Sequence, residues 1–445
     1  MRGCLPNSAG SSTGAEPKHD SKLVRAIGRW SLTALMVNLI IGSGIFVMPA
    51  HVTRLLGSYG PWAYLVVAAG VGLIAACFAE VGSQFAEAGG PYLYARVVYG
   101  QLAGIQIAWL AWLARLSSCA AGANIFVEYL GGFFPATQGR LARGAVLFFL
   151  IGGLAAINIL GVKAGARLSN FLAAAKVLPL AIFVVAGLLL LRGTPAVSAA
   201  ASTAGPGPKE WLSALLLIVF ALSGFETALF PMGEARDTRH DAPFALFYSF
   251  LICTALYALI QVVVLRALGT AFAGDRPLAE AARIFLGRGG AAFMEVGALL
   301  SVYGNLSSQM LNVPRLTFAL AERGDFPSIF GAVSHKFRTP YFSIATFALL
   351  IFALALGGTF QNNAVLSAVA RLLTYGVVCT AVVTLRRKQP QADAFRLPAA
   401  PIISGLGLLF VLTMLTQMGL KEVIAIAGAM VVALLNWIWA RRKTV

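Results

Sequence analysis

Charged residues are scarce in this chain of 445 residues, in which they make up 11% against 59% hydrophobic residues. A soluble domain carries roughly 25% charged residues. Because so few charges cannot cover a surface that faces water, a soluble globular enzyme is excluded, and so is a disordered chain apart from its ends. What remains is a polytopic membrane protein, long enough for about a dozen helices of ~20 residues with short loops.

Cysteine and histidine are also scarce, with five and four residues. The cysteines are odd in number and four lie in apolar stretches, so neither a disulfide framework nor a zinc spacing is present. The histidines are scattered, and we expect no metal site and no cofactor. The sequence has no clustered acid–base constellation and no GxxxxGK[ST] motif, which disfavours a membrane enzyme and an ATP-driven pump. No pore motif is apparent, which disfavours a channel.

Acidic residues are half as numerous as basic ones, 17 against 34, which gives a formal net charge of +17. The Lys and Arg residues stand in short segments between apolar stretches, as topology determinants do, so they do not indicate a nucleic-acid partner. With the N-terminus inside, 20 of them fall inside and 10 outside, three of the latter in a long loop at 270–289. We predict a protein of the cell (inner) membrane with both termini in the cytoplasm. Residues 1–29 lack a cleavable signal core and are predicted to form a disordered cytoplasmic tail.

Long apolar stretches are what the chain does have. Helices are the only sensible assignment for them, because every backbone polar group in lipid must be satisfied and the runs are too long for barrel strands. The sequence therefore predicts an all-α polytopic membrane protein with twelve transmembrane helices. The stretches lie at 30–56, 61–87, 101–130, 141–160, 167–191, 211–234, 243–269, 290–322, 341–358, 362–385, 401–418 and 421–440.

Two of these stretches carry Gly and Ser at mid-membrane, the first at 42–44 and the sixth at 223–224. Glycine weakens a helix and frees backbone groups there. The two stretches are five spans apart, an odd number, so they cross the membrane in opposite directions. Paired breaks favour an inverted-repeat transporter with its binding site at the breaks over glycines that only allow close helix packing. We predict repeats at 30–191 (helices 1–5) and 211–386 (helices 6–10), followed by two extra helices at 401–440.

Four motifs resemble, in order, those of the amino acid–polyamine–organocation (APC) transporters. Residues 42–46 (GSGIF) resemble the signature of the first helix, and 80–94 resemble the second helix and the loop after it. Residues 224–243 resemble the exit of the sixth helix, and 315–327 the end of the eighth. The resemblance extends over residues 30–396 and implies a LeuT-like five-plus-five inverted repeat in which helices 1 and 6 are broken.

A free amino acid carries an ammonium and a carboxylate, and neither enters lipid unpaired. The half-helix after the first break offers N–H groups and a positive dipole end to the carboxylate, while unwound carbonyls can accept from the ammonium. The resemblance implies an aromatic gate at Phe220 and places Asn305 and Gln309 near the pocket, although the last two could equally be polar contacts between helices. The predicted substrate-binding residues are Ile41, Gly42, Ser43, Gly44, Phe220, Ala221, Ser223, Gly224, Asn305 and Gln309.

Ionisable groups at membrane depth are costly and usually functional. Lys176 is predicted to couple transport, because the resemblance implies an ammonium in place of the sodium of sodium-coupled relatives; a snorkelling lysine is the alternative. Glu226 is the second coupling candidate, and it could take a proton or bridge structurally to N–H groups of the break. Arg115 and Arg371 could pair with Glu128, with Glu80 or with the substrate wall, and the sequence leaves this open.

The function predicted is secondary active transport of L-amino acids, neutral rather than cationic, across the cytoplasmic membrane by alternating access. Coupling to protons without sodium is expected, so the partners are the amino acid, the proton and the lipid bilayer. Two alternatives stay open: an exchanger of cationic amino acids or polyamines, and a non-transporting sensor of the same fold.

Overall fold

The computed structural model describes residues 28–85, 89–160, 176–191, 205–229, 238–272, 274–334, 336–388 and 394–442. In these ranges every regular element is a helix. The predicted tail at 1–29 lies almost wholly outside them. The α-helices are α1 (Arg29–Ile40), α2 (Met48–Leu56), α3 (Gly60–Ser83), α4 (Gly90–Tyr99), α5 (Gln101–Phe133), α6 (Arg140–Leu160), α7 (Val177–Leu190), α8 (Pro208–Leu222), α9 (Thr238–Leu268), α10 (Pro277–Glu322), α11 (Tyr341–Gly357), α12 (Phe360–Lys388), α13 (Ala400–Leu415) and α14 (Leu420–Arg442). Short 3₁₀ turns lie at Gly44–Phe46, Gly57–Tyr59, Pro135–Gln138, Phe225–Leu229 and Ser328–Gly331.

Many of these helices can span a membrane. In the described part of the chain, eight helical runs are long and apolar enough, and α7, α11 and α13 are shorter apolar helices. Large apolar side chains such as Leu141 and Phe149 are exposed on the outside, as a surface in contact with lipid requires. The prediction of a polytopic α-helical membrane protein is confirmed. The number twelve stays a prediction, because the first stretch is divided and most of residues 167–176 lie outside the described ranges.

Both predicted breaks are present as interruptions of helix. α1 ends at Ile40 and α2 begins at Met48, with only a 3₁₀ turn between them. α8 ends at Leu222, and a second 3₁₀ turn follows at Phe225–Leu229. The end of α1 packs on α9 and on that second turn, while α5 packs along α10 and α12. The two breaks therefore meet in the middle of the helix assembly.

Two segments predicted as loops contain helix. In the predicted loop at 270–289, α10 already begins at Pro277 and bends at Gly287, whose φ is +71°. Leu278 and Ala282 of this extra helical segment are fully buried, so apolar packing stabilises helix where the charges indicated a solvated loop. The loop after the predicted second span contains α4, which has a proline in its first turn, where proline favours helix initiation.

Candidate functional site

A cavity, here called the central cavity, lies where the two breaks meet, and its empty space is about 680 Å³ when the part open to solvent is included. At the first break it is lined by the last turn of α1 (Asn38, Leu39, Ile40) and by the unwound residues Gly42, Ser43 and Gly44, and at the second by the last turn of α8 (Phe220, Ala221) and by Ser223, Gly224 and Thr227 after it. The other lining residues are Ser118, Lys176, Gly304, Asn305, Ser308, Gln309 and Arg371. Backbone of two unwound segments and polar side chains of other helices thus face one space.

Lys176 binds the end of α1. Its ammonium donates to the carbonyl of Ile41 over 2.7 Å and also to the carbonyl of Asn38. The side chain is 4% exposed, so the charge is removed from bulk water. The carbonyl end of a helix carries the negative end of its dipole, where a cation is favoured. Lys176 therefore supplies hydrogen-bond donors to carbonyls at the end of α1 that the interrupted helix leaves without their usual N–H partners.

Two tyrosines satisfy further carbonyls of the first break. The hydroxyl of Tyr257 donates to the carbonyl of Ile40 over 3.1 Å, and the hydroxyl of Tyr129 donates to that of Phe46 over 2.7 Å. Both tyrosines are fully buried. A buried carbonyl without a donor costs free energy, so these side chains from α5 and α9 stabilise the unwound conformation of the first break.

N–H groups of the first break remain available. Among the hydrogen bonds of the described residues, none uses the N–H of Ser43 or Gly44. Both residues are buried and line the central cavity. Ser43 precedes the 3₁₀ turn Gly44–Phe46 and Gly44 begins it, so N–H groups without an intrahelical partner lie at the cavity wall. Such an arrangement binds a carboxylate or another small anion.

The second break is held by an anion. One oxygen of Glu226 accepts from the Gly224 N–H and from the Tyr375 hydroxyl, both over 2.9 Å. The other oxygen accepts from the guanidinium of Arg371. Glu226 is 7% exposed. Its bond to the N–H of Gly224 is the structural bridge that the sequence analysis gave as one of two alternatives for this residue. The carboxylate therefore joins the second break to α12.

The two breaks touch one another closely. Gly224 has a φ of +118°, and a Cβ there would lie 2.7 Å from the carbonyl oxygen of Leu39. A Cβ on Gly44 would lie 3.3 Å from Ala221. An L-side chain is strained at such a φ, and the space is already filled by backbone. Glycine at position 224 is therefore a requirement of this packing.

Two buried arginines, left open by the sequence, lie next to the central cavity. Arg371 lines the cavity, bonds Glu226 and donates through Nε to Ser367 over 3.3 Å. Arg115 donates to the side-chain oxygen of Gln309 over 3.3 Å. The carboxylate partner of Arg371 is thus on the second break, and Arg371 is also part of the cavity wall.

The carboxylates offered as alternative partners of Arg371 are engaged elsewhere, so those pairings are wrong. Glu80 forms a two-pronged ion pair with Arg386 over 2.6 and 2.9 Å. Glu128 lies 3.7 Å from Arg143. Glu80 lies near the end of α3 and Arg386 near the end of α12, both remote from the second break. Sequence position alone does not show that these two helix ends meet.

A second space, of about 300 Å³ when the part open to solvent is included, lies next to the central cavity and shares a lining residue with it. Arg371 lines both spaces, and Glu226 lines the second. Along α5 the lining passes from Ser118 in the first space to Ala111 in the second, roughly 10 Å along the helix towards its first residue. The Glu226–Arg371 pair therefore stands between the central cavity and the side of the protein where α5 begins.

Aromatic rings pack beside the central cavity, next to α2. The ring of Phe220, which lines the cavity, meets the edge of Phe360 at 5.9 Å between centroids. His51 of α2 stacks on Phe360 at 5.6 Å. Edge and stacked contacts of this kind are favourable between buried rings. Aromatic packing thus adjoins the cavity at Phe220, and an ion pair adjoins it at Arg371.

The comparison with protein families agrees with this arrangement. A family described as amino acid permease matches residues 27–438, which is most of the chain. The chain belongs to the amino acid permease family. The resemblance to the APC superfamily is thereby confirmed, and the permease is a membrane transporter of amino acids rather than an enzyme.

Several transporters are similar to the permease over nearly its whole length. The branched-chain amino acid permease BcaP of Bacillus subtilis (strain 168) is 25% identical over 95% of this chain and 94% of its own. The serine/threonine exchanger SteT of the same organism is 28% identical over 92% of this chain and 96% of its own. A methylthioribose transporter, also from that organism, is 27% identical over 86% of each chain. Relatives at this distance differ in substrate and in transport mode.

Nine of the ten residues predicted to bind substrate line the central cavity of the permease, and so does Lys176. Ile41 lies outside the lining, because its carbonyl points to Lys176. The carbonyl of Phe220 is also occupied, by the Ser223 hydroxyl over 2.8 Å. Glu226 lines the second space instead of the central cavity.

Sequence reasoning missed Asn38, Ser118, Thr227 and Ser308 in the lining. A signal for Ser308 was available, since it lies three residues after Asn305 and next to Gln309, on one face of a helix. No comparable signal exists for Ser118, whose place depends on how α5 packs against the breaks.

Proposed function

We propose that the permease is a secondary active transporter of neutral L-α-amino acids and that the central cavity is its substrate site. The observation that carries this proposal is the set of backbone groups left over at the two breaks. The N–H groups of Ser43 and Gly44 suit the substrate carboxylate. The carbonyl of Ala221, which accepts no hydrogen bond from the described residues, suits the ammonium.

The choice of a neutral over a cationic substrate rests on the charges around the cavity. Among the lining residues, Lys176 and Arg371 are cationic and none is acidic. The nearest carboxylate, Glu226, is already bonded to Arg371 and Tyr375. A cationic side chain would meet like charges without a free carboxylate, which costs several kcal/mol in a desolvated site.

Coupling to protons, independent of sodium, is proposed through Lys176. A sodium ion bound by a protein is held by oxygen atoms, and backbone carbonyls can supply them. Here the ammonium of Lys176 already contacts the carbonyls of Asn38 and Ile41. Loss of its proton would weaken these two hydrogen bonds, because a neutral amine is a weaker donor than an ammonium, and would loosen the end of α1 from Lys176, which links protonation to movement of the first break.

Alternating access would move the broken helices relative to α5, α6, α10 and α11, within five-plus-five inverted repeats at 30–191 and 211–386. The Glu226–Arg371 pair and the Phe220–Phe360 contact each include a residue that lines the cavity, and the two contacts would open in turn. Phe220 then serves as the aromatic gate.

The orientation proposed places both termini in the cytoplasm of the cell (inner) membrane. α4 and the end of α12 lie on one side, since the ammonium of Lys388 donates to the carbonyl of Val98 over 2.9 Å. That side carries Arg96, Arg386 and Arg387, and an excess of basic residues marks the cytoplasmic side. The second space would then lead from the central cavity to the cytoplasm.

Uptake by the purified protein in sodium-free proteoliposomes tests the function. Liposomes would receive a mixed pool of radiolabelled amino acids with and without an inward proton gradient. Accumulation only with the gradient supports proton symport. Uptake that needs preloaded internal amino acid would replace symport with exchange, and no uptake under either condition would overturn the transport proposal in favour of a polyamine carrier or a sensor.

The Lys176→Met variant tests the coupling. We expect accumulation against a gradient to be lost in this variant, while Lys209→Met, which changes an exposed lysine at the start of α8, retains it. Gradient-driven accumulation at the wild-type rate in Lys176→Met would exclude Lys176 as the coupling group.

A further inference from the structure

The wall of the central cavity that faces the breaks is polar. It is built from Ser118 of α5 and from Asn305, Ser308 and Gln309, which lie on one face of α10. The breaks present backbone to the parts that all amino acids share, so this wall is what a substrate side chain meets. The wall therefore decides which side chains are accepted.

Several hydrogen-bond donors of the wall form no hydrogen bond with another described residue. Gln309 uses its side-chain oxygen to accept from Arg115, and its amide nitrogen makes no hydrogen bond there. Ser308 accepts from Asn312 over 3.4 Å, which leaves its own hydrogen free to donate. The hydroxyl of Ser118 makes no hydrogen bond in the same part of the chain. Amide and hydroxyl donors thus converge on the cavity.

An aliphatic side chain in this place would shield these donors from water without bonding them. A site built to hydrogen-bond a substrate rejects the analogue that lacks the partner atom far more strongly than an apolar pocket rejects a hydroxyl. The cost arises from each buried donor left without an acceptor. The wall therefore disfavours leucine-like substrates, as the cavity charges disfavour lysine-like ones.

We propose that the substrate carries a side chain with a hydrogen-bonding oxygen, as serine, threonine and glutamine do. This inference rests on the proposed function, because it assigns the side-chain class of the same site. Gln309 and Ser308 are its specificity-determining residues, and Ser118 bonds the side chain from α5.

Binding to the purified full-length protein tests the side-chain class. Dissociation constants of L-serine, L-threonine, L-glutamine, L-leucine and L-lysine would be measured by calorimetry. We expect the tightest ligand to carry an oxygen and to bind about tenfold or more tightly than leucine and lysine. Leucine or lysine as the tightest ligand would overturn the side-chain class and leave amino acid transport intact. Absence of binding by all five, together with absence of uptake of the mixed pool, would overturn the proposed function itself.

Two variants test the named residues. Ser308→Ala removes one donor, and Gln309→Met removes the amide donor together with the oxygen that accepts from Arg115. We expect the ratio of leucine to glutamine dissociation constants to fall roughly fivefold or more in each variant. The control is Ser301→Ala, which removes a hydroxyl from α10 at a fully buried position outside the lining. An unchanged ratio in both variants would show that the wall does not select the side chain, whereas an unchanged ratio in Ser301→Ala alone supports the assignment.

Discussion

The two helix breaks are held by side chains of opposite charge. At the first break the ammonium of Lys176 binds carbonyls at the end of α1, and at the second the carboxylate of Glu226 binds the N–H of Gly224. Each charge complements the backbone groups that unwinding sets free. The breaks are therefore built by the same principle with the signs exchanged.

They differ in how the charge is balanced. Glu226 forms an ion pair with Arg371, whereas the partners of Lys176 at the first break are carbonyl dipoles. A buried carboxylate beside a buried guanidinium keeps its charge, because losing it would strand the other ion. An ammonium held by dipoles leaves no stranded ion when it loses its proton. This difference supports the proposal that Lys176, rather than Glu226, is the coupling group, and we propose that Glu226 positions the second break.

The largest effect on stability is expected from breaking the ion pair at the second break. Glu226→Gln keeps the shape of the side chain and leaves the charge of Arg371 buried without its carboxylate, which costs about 3–5 kcal/mol. The measurement is Tm in detergent, and we expect a strong fall for Glu226→Gln. The double variant Glu226→Gln/Arg371→Gln should have a Tm between those of Glu226→Gln and the wild type. A double variant less stable than either single one would show that the two charges do not act as a pair.

The contact between the breaks is the next to test. Gly224→Ala places a Cβ against the carbonyl of Leu39 and strains a φ of +118°, for which we expect a loss of about 1–3 kcal/mol and loss of uptake. The matched control is Gly152→Ala on α6, where a Cβ meets nothing within 4 Å. A helix tolerates alanine better than glycine, so the control should be neutral or slightly stabilising. Equal Tm values for the two variants would contradict the packing described here.

The sequence predicted the breaks and most of the cavity because these depend on local chemistry. Glycines at 42, 44 and 224 weaken a helix wherever it packs. Ionisable residues in apolar stretches mark Lys176 and Arg371 in the same local way. Which carboxylate meets Arg371 depends on how α12 packs against the second break, and no spacing in the sequence encodes that contact. The helix at the start of α10 was missed for a related reason, since it is the burial of Leu278 that stabilises it.

A smaller loss of stability is expected at a single neutral hydrogen bond of the first break. Tyr257→Phe removes the donor to the carbonyl of Ile40 and should cost about 0.5–1.5 kcal/mol. Tyr341→Phe, which changes an exposed tyrosine, is the control and should leave Tm unchanged. If Tyr257→Phe were as damaging as Glu226→Gln, the first break would depend on its neutral bonds as strongly as the second depends on its ion pair.

The smallest change of stability is expected where the effect on transport is largest. Lys176→Met removes donors from two carbonyls, each loss costing about 1–3 kcal/mol, but it also removes the desolvation cost of a buried ammonium, which is of several kcal/mol. Because the two effects oppose each other, Tm should stay close to that of the wild type while gradient-driven uptake is lost. Tm and uptake would be measured on the same preparation, with Lys209→Met alongside. A fall of Tm as large as that of Glu226→Gln would mean that the cation, like the anion, serves to hold its break together, and the distinction between a coupling break and a positioning break would fail.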